Sequence, residues 1–325
     1  MSEDERRFFA DADPLGFILF ARNVEDPAQV RDLCQALRET VGRDDAPILI
    51  DQEGGRVQRM RPPHWRAAPP AARFGDLHRR DAVLGIEAAR LNARLLAHDL
   101  ACAGISVDCA PVLDVPQPDA HDIIGDRAFD SEPSAVADLG RATMEGLLAG
   151  GVLPVIKHLP GHGRARADSH ESLPRVAADA NELAATDFAP FTALADAPWA
   201  MTAHVVYEAI DRERPATHSA TVISETIRGD IGFAGVLVSD DIGMGALTGS
   251  FDRRAAECLT AGCDVVLHCS GDMAEMVETM QGVTALTHDA AERVAVAEHR
   301  RGSPEAIEPA AALARLDALL AEAAA

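Results

Sequence analysis

Seven short apolar runs, each followed by a loop or a longer helical pattern, constrain this chain more than any other feature. They are GFILFA (16–21), APILID (46–51), ISVDCAPVLDV (105–115), VLPVIKHL (152–159), WAMTAHVV (199–206), GVLVSDD (235–241) and DVVLHCS (264–270). Short apolar runs alternating with helical periodicity are the pattern of a parallel sheet with crossover helices. The helical stretches are readable locally. Asp26 and Pro27 supply an N-cap and a first-turn proline, and Val30, Leu33 and Leu37 recur at helical spacing. Leu84, Ala88, Leu91 and Leu95 form a second stripe, with Gly104 as its expected stop. Helices are also expected after Pro133, ending at Gly150 and Gly151, and over Thr221 to Arg228.

Polar residues cluster where those runs end. Asp51, Asp114, Lys157, His158, His204, Asp240 and His268 all lie at or just past the C-terminal end of an apolar run. In a parallel β/α barrel these ends meet on one face, where active sites are built. A doubly wound sheet, the other arrangement that fits the alternation, would spread them along an edge. The expectation is therefore a TIM-type parallel β/α barrel. With no internal repeat or linker, the whole of 1–325 reads as one domain, with an Ala-rich helical tail from about 303.

Composition narrows the partners. A net charge of -22 over 325 residues argues against nucleic acid and against an anionic membrane surface. No apolar run approaches the ~20 residues of a membrane span, and the first residues carry no signal-peptide pattern. The six cysteines, Cys34, Cys102, Cys109, Cys258, Cys263 and Cys269, include no C-x-x-C pair and read as buried, reduced thiols of a cytoplasmic protein.

Of 30 Lys and Arg residues, Lys157 is the only lysine. A chain that uses Arg everywhere else keeps Lys where a planar fork does not fit, as in a tight polar pocket. Lys157 opens the stretch KHLPGHGRARADSH. Here Asp168 stands two residues from His170, close enough to orient an imidazole that shuttles a proton; an Asx-turn beside a surface histidine is the alternative. Asp240 ends an uninterrupted apolar run and could attack an anomeric carbon, the first half of retaining glycoside hydrolysis. It could equally cap the next helix, and Asp241 could take that role instead. Clustered His158, His162, Asp168 and His170 invite a metal, but their spacing matches no zinc pattern and Lys157 would oppose a cation. GHG matches neither phosphate-binding glycine pattern.

Taken together, GFILFARN, LIDQEGGRVQRM, APVLDV, IGDRAF, KHLPGHG, DSH, MTAHVVY and SDDIGM resemble, in order and spacing, a bacterial β-N-acetylhexosaminidase of glycoside hydrolase family three. The resemblance runs from about Glu5 to about Gly271, and KHLPGHG followed by DSH is its most diagnostic part. It implies that Asp240 is the nucleophile and His170 the general acid/base, oriented by Asp168 on a mobile loop. It implies that Asp51, Arg59, Arg127, Lys157 and His158 hold N-acetylglucosamine. The implied substrate is N-acetylglucosamine β-linked to 1,6-anhydro-N-acetylmuramic acid, with or without peptide, in cytoplasmic peptidoglycan recycling. The expected protein is a monomer, with a small sugar as its partner and neither cofactor nor metal. Ile242-Gly243 stands where many relatives have Leu-Ser. A phosphorylase using the same residues and a metal-dependent hydrolase remain alternatives. Relatives usually carry a further strand before the segment matching SEDERRFF. Seven strands rather than eight are therefore expected, with the gap between the first and last runs, from a truncated chain or a misplaced start codon.

Overall fold

The computed structural model describes residues 1–118 and 120–322. The chain divides into two compact units: Met1–Ala110 with Ala142–Pro154 and Arg301–Ala325, and Pro111–Arg141 with Val155–Arg300. Seven parallel strands form at the seven expected runs: β1 (Phe17–Leu19), β2 (Ile48–Ile50), β3 (Val107–Asp108), β4 (Leu153–Leu159), β5 (Trp199–Thr202), β6 (Val236–Asp241) and β7 (Val265–Leu267). They pair in chain order without reversal. That order is the TIM-type β/α topology and excludes a doubly wound sheet, whose order reverses at a switch point. Among the described residues, β1 pairs only with β2 and β7 only with β6. Strand β4 belongs to both units, its first two residues pairing with β3 and the remainder with β5.

In the first unit Phe17, Ile18 and Leu19 sit opposite Ile48, Leu49 and Ile50. Phe17, Leu19, Ile48 and Ile50 join Val30, Cys34, Leu37, Ala93, Ala97 and Leu100 in one buried cluster. Asp26 caps the helix Pro27–Val41 by accepting from the N–H groups of Ala28 and Gln29, and Gly42 ends it in the left-handed region. The start is the one read from sequence. In the helix Ala82–Cys102, Ala88 and Leu95 are buried as expected, while Leu84 and Leu91 are only half-buried. The fully buried face instead runs through Ala89, Ala93, Leu96 and Leu100. A second contact explains the wider apolar surface. The tail helix Pro309–Glu322 packs against Ala82–Cys102, burying Leu316 and Leu319, and Arg315 grips Glu87 through two hydrogen bonds of 2.8 Å. The last three residues of that expected helical tail, 323–325, lie outside the described residues.

The long loop after β2 is held from within by two buried glutamines. Gln52 accepts from the N–H groups of Arg59 and Met60 and donates to Met60 O. Gln58 donates to the carbonyls of Met60 and Arg66 and accepts from Ala68 N–H. A loop this long leaves many backbone groups without ladder partners, and amide side chains offer both a donor and an acceptor to meet them.

In the second unit β4, β5 and β6 are apolar and buried up to the point where function is expected, β7 is half-buried, and at that point the pairing slips. Ile156 sits opposite Ala200 but Leu159 opposite Thr202, so β4 carries one extra residue across Lys157 and His158. Val238 sits opposite Val265 but Asp241 opposite Leu267, so β6 carries one across Ser239 and Asp240. A bulge breaks the strict up-down alternation of a strand and re-aims side chains. The peptide bonds Lys157–His158 and Leu159–Pro160 are cis. The helix expected near Thr221 is present as a wide-turned π-helix over Val222–Asp230. Four cysteines are buried as expected, but Cys102 is exposed and Cys269 half-buried, so burial of all six does not hold. Cys102 is the last residue of a helix, where one flank faces solvent. No helix among the described residues is long and apolar enough to cross a membrane.

Candidate functional site

In the second unit, Asp240 lies in the last turn of pleat of β6, partly buried, and its Oδ1 accepts the N–H of Asp241 at 2.8 Å. Burial works to raise its pKa. The neighbouring His158 and His204 rings, the Asp241 N–H and the Lys157 ammonium outweigh that and hold it below the ordinary carboxylate value. Asp241 goes the other way: burial and the charge of Asp240 raise it, against hydrogen bonds from Gly243 and Cys269 N–H at 2.9 and 3.1 Å. Adjacent carboxylates are thus driven apart, one ionised and open for chemistry, one committed to the backbone. Neither caps the next helix, Phe251–Ala261, whose N-cap is Ser250.

Lys157 and His158 stand on the bulge of β4. Lys157 is 2% exposed, an ammonium group enclosed by protein. The His158 ring donates from Nδ1 to Asp114 Oδ2 at 2.7 Å, which leaves Nε2 as its other polar atom. Asp114 is completely buried, and its Oδ1 also accepts the N–H groups of His158 and His162, at 3.2 and 2.6 Å. Burial pushes the Asp114 carboxyl up, but His158 and the other donors bring it down to about 2. His162 is driven to about 4 by burial and by His158, so its ring is neutral at pH 7.

Behind Asp240, His204 is buried and held neutral by desolvation. Its Nε2 meets the carbonyl of Asp241 at 3.0 Å, so that nitrogen carries the proton. Nδ1 therefore accepts from Thr217 Oγ1 at 2.7 Å, and Thr202 donates in turn to Thr217 at 2.8 Å. The carbonyl of Ala203, 3.2 Å from Thr217 Oγ1, is a second acceptor within reach of the same hydroxyl.

The segment Asp168–Ser169–His170 is a loop. Asp168 Oδ1 accepts both the backbone N–H of His170 at 2.8 Å and the ring Nδ1–H at 2.7 Å. The Asx-turn and the oriented imidazole, alternatives in the sequence, are both present. Burial raises the Asp168 carboxyl and the donations from His170 lower it more, so it is ionised well below neutrality. The His170 side chain is 61% exposed. Its Nε2 is free of the Asp168 contact and can exchange a proton with an incoming oxygen.

Glycines around this loop answer to packing. Gly161 has φ +143, and a side chain on Gly163 would run into the backbone of Val115. Arg127 ends a tight turn over Gly125–Arg127, partly buried, donating to the carbonyl of Ile123 at 3.2 Å. The other two expected sugar-holding residues belong to the first unit. There Arg59 Nη2 donates to Asp51 Oδ2 at 2.9 Å, and the guanidinium lies over the Phe20 ring at 5.1 Å. Sequence reasoning missed Asp114 as a hub, Thr217 as a positioning group and Ser169 altogether. Only a buried Asp at a strand end hinted at the first.

The profile described as Glycosyl hydrolase family 3 N terminal domain matches residues 1–298. The Beta-hexosaminidase of Alkalilimnicola ehrlichii is 40% identical over 274 residues, 83% of this chain and 78% of that protein. The Beta-hexosaminidase of Xanthomonas axonopodis pv. citri is 39% identical over 289 residues, covering 87% and 84%. The native crystal structure of NagZ from Neisseria gonorrhoeae superposes with a TM-score of 0.85 at 34% identity, over 100% of this chain and 94% of that one. The Neisseria protein has also been solved with N-trifluoroacetyl-D-glucosamine bound.

Proposed function

The chain belongs to glycosyl hydrolase family 3, and from that premise we propose that it is a retaining β-N-acetylhexosaminidase that releases N-acetylglucosamine from 1,6-anhydro-N-acetylmuramic acid fragments. In this reading an Asp240 oxygen attacks the anomeric carbon as the glycosidic C–O bond breaks, and His170 Nε2 gives its proton to the departing oxygen. Water then attacks the same carbon, His170 takes its proton, and the Asp240 ester bond breaks. Asp168 holds the imidazole by Nδ1 through both steps. Lys157, His158, Arg127, Asp51 and Arg59 are assigned to the sugar. The whole chain is read as one catalytic domain, a monomer acting on a small sugar in the cytoplasm during cell-wall recycling.

The observation that carries the reading is the pairing of two unlike groups in one unit. One is a carboxylate kept ionised beside Lys157 and His158. The other is an imidazole held by a carboxylate on an exposed loop. An ionised group suits attack, and a solvent-reached imidazole suits proton exchange. The test is turnover of a chromogenic N-acetyl-β-glucosaminide and of the anhydro-muramyl disaccharide, with product stereochemistry followed by NMR. Retention and release of free N-acetylglucosamine are expected, unaffected by chelator. A sugar 1-phosphate formed when phosphate is added would make the enzyme a phosphorylase, and inversion would remove the covalent step.

A further inference from the structure

The loop carrying Asp168 and His170 opens to solvent around one buried side chain. Ser169 is 3% exposed, between a half-buried aspartate and a histidine open to solvent. Its hydroxyl meets His162 Nε2 at 3.0 Å, and His162 is itself 3% exposed. The turn does not need this contact. It is closed by the N–H groups of Glu171 and Ser172 on Asp168 O, both at 3.0 Å, and by His170 N–H on the Asp168 carboxylate. The serine hydroxyl is therefore surplus to the turn and reaches back to a residue seven positions earlier.

His162 is fixed at its other end. Its backbone N–H donates to Asp114, the same carboxylate that holds the His158 ring, and its own ring meets the His158 ring edge-on at 5.7 Å. From the opposite side the loop is gripped by the chain just past β6. Gly245 N–H donates to His170 O at 3.0 Å and Ala246 N–H to Ser169 O at 3.1 Å. A methyl group on Gly245 would press on the carbonyls of His170 and Glu171 at 2.8 Å.

We infer that Ser169 and His162 form a latch that positions the His170 acid/base loop, with Gly245 as its backing. The inference rests on the reading of His170 given above. Ser169 and His162 are positioning residues: they act through His170. A group that only sets the delivery of a proton affects rate more than sugar affinity, and it has nothing to act on once the proton carrier is gone.

The experiment is a double-mutant cycle of Ser169→Ala with His170→Ala, followed by kcat and KM on the aryl glycoside and the disaccharide, with thermal midpoints measured alongside. Loss of one hydrogen bond that holds a reacting group is expected to lower kcat about tenfold, with KM unchanged. The same substitution is expected to cost nothing in the His170→Ala background. Gly245→Ala, which pushes the loop from the other side, is expected to repeat that pattern. Equal losses in both backgrounds, or an unchanged kcat in Ser169→Ala, would overturn the latch. If His170→Ala is impaired and Ser169→Ala is not, the latch alone fails; if His170→Ala is itself silent, the catalytic reading and the latch fall together.

Discussion

The floor around Asp240 and the loop around His170 solve opposite problems with the same residue types. Asp240, His158, Asp114 and His204 sit on or just past strands, buried or nearly so, with every contact to a strand end or a neighbouring buried group. Asp168 and His170 sit on a loop whose imidazole is mostly in solvent. The floor keeps one geometry. In the proposed reaction His170 changes protonation twice in a turnover, which calls for access to water. A histidine paired with an aspartate occurs in both regions, at 2.7 Å each time. Burial, not the pair itself, distinguishes the enclosed His158 ring from the solvent-reached His170 ring.

The largest effect should come from removing the fixed charge. Asp240→Ala is expected to lower turnover by roughly 10⁴-fold or more, as loss of a nucleophile does, while sugar binding measured by calorimetry survives. Substantial turnover in this variant would transfer the role to Asp241, despite its bonds to the backbone.

Removing the proposed proton carrier should cost less, and unequally. His170→Ala is expected to slow cleavage of the disaccharide by roughly 10²- to 10⁴-fold, and that of an activated aryl glycoside less, because a good leaving group needs little protonation. Asp168→Ala should follow the same order with smaller losses. Equal losses on the two substrates would erase the distinction drawn between floor and loop.

Lys157→Arg keeps the charge and changes the shape. Lys157 is enclosed, so the larger fork must shift its neighbours, and a displacement of ~1 Å can cost about a hundredfold in rate. Normal kinetics would mean that a planar fork fits this pocket after all.

The smallest effect concerns stability. His162 and His218, the second buried beside Glu257 at 3.3 Å, are both pushed by burial to about 4 in the fold, against about 6.5 in an open chain. Between those values the unfolded chain binds more protons than the folded one, so stability rises with pH through the window and is lost as pH falls from 6.5 to 4. Each histidine accounts for on the order of 3 kcal/mol at most. Asp114, at about 2 in the fold, extends the loss below its open-chain value of 3.8. A urea midpoint that is flat between pH 7 and 4.5 would contradict this and imply that the floor is wetter than its burial indicates.

Much of this arrangement was legible from residues alone. All seven apolar runs became the strands, because a buried parallel strand needs an unbroken apolar stretch and little else. Lys157 stood out by being the one lysine, and the enclosed ammonium is consistent with that reading. What escaped depends on distance in sequence. Asp114 and His158 are 44 residues apart, and nothing local marks them as partners. The third run is long, yet only Val107 and Asp108 count as strand. Pro111 has no N–H to give, and beyond it the pairing resumes as a single bridge between Val112 and Lys157. The extra residues in β4 and β6 were likewise invisible, since a bulge is a relation between two strands.

Those two extra residues set a rule for how such a sequence can drift. Apolar side chains along β4 and β6 can be exchanged for others of similar volume, because their neighbours ask only for bulk. Chain length in the same places is another matter. Deleting one codon at Lys157–His158 or at Ser239–Asp240 would restore regular pairing with the next strand, and it would remove the bulge that aims the side chains at that point. The more regular sheet would be the inactive one. Substitutions and indels therefore face different selection here, and an alignment that closes a gap at either position will misassign the residues that follow it.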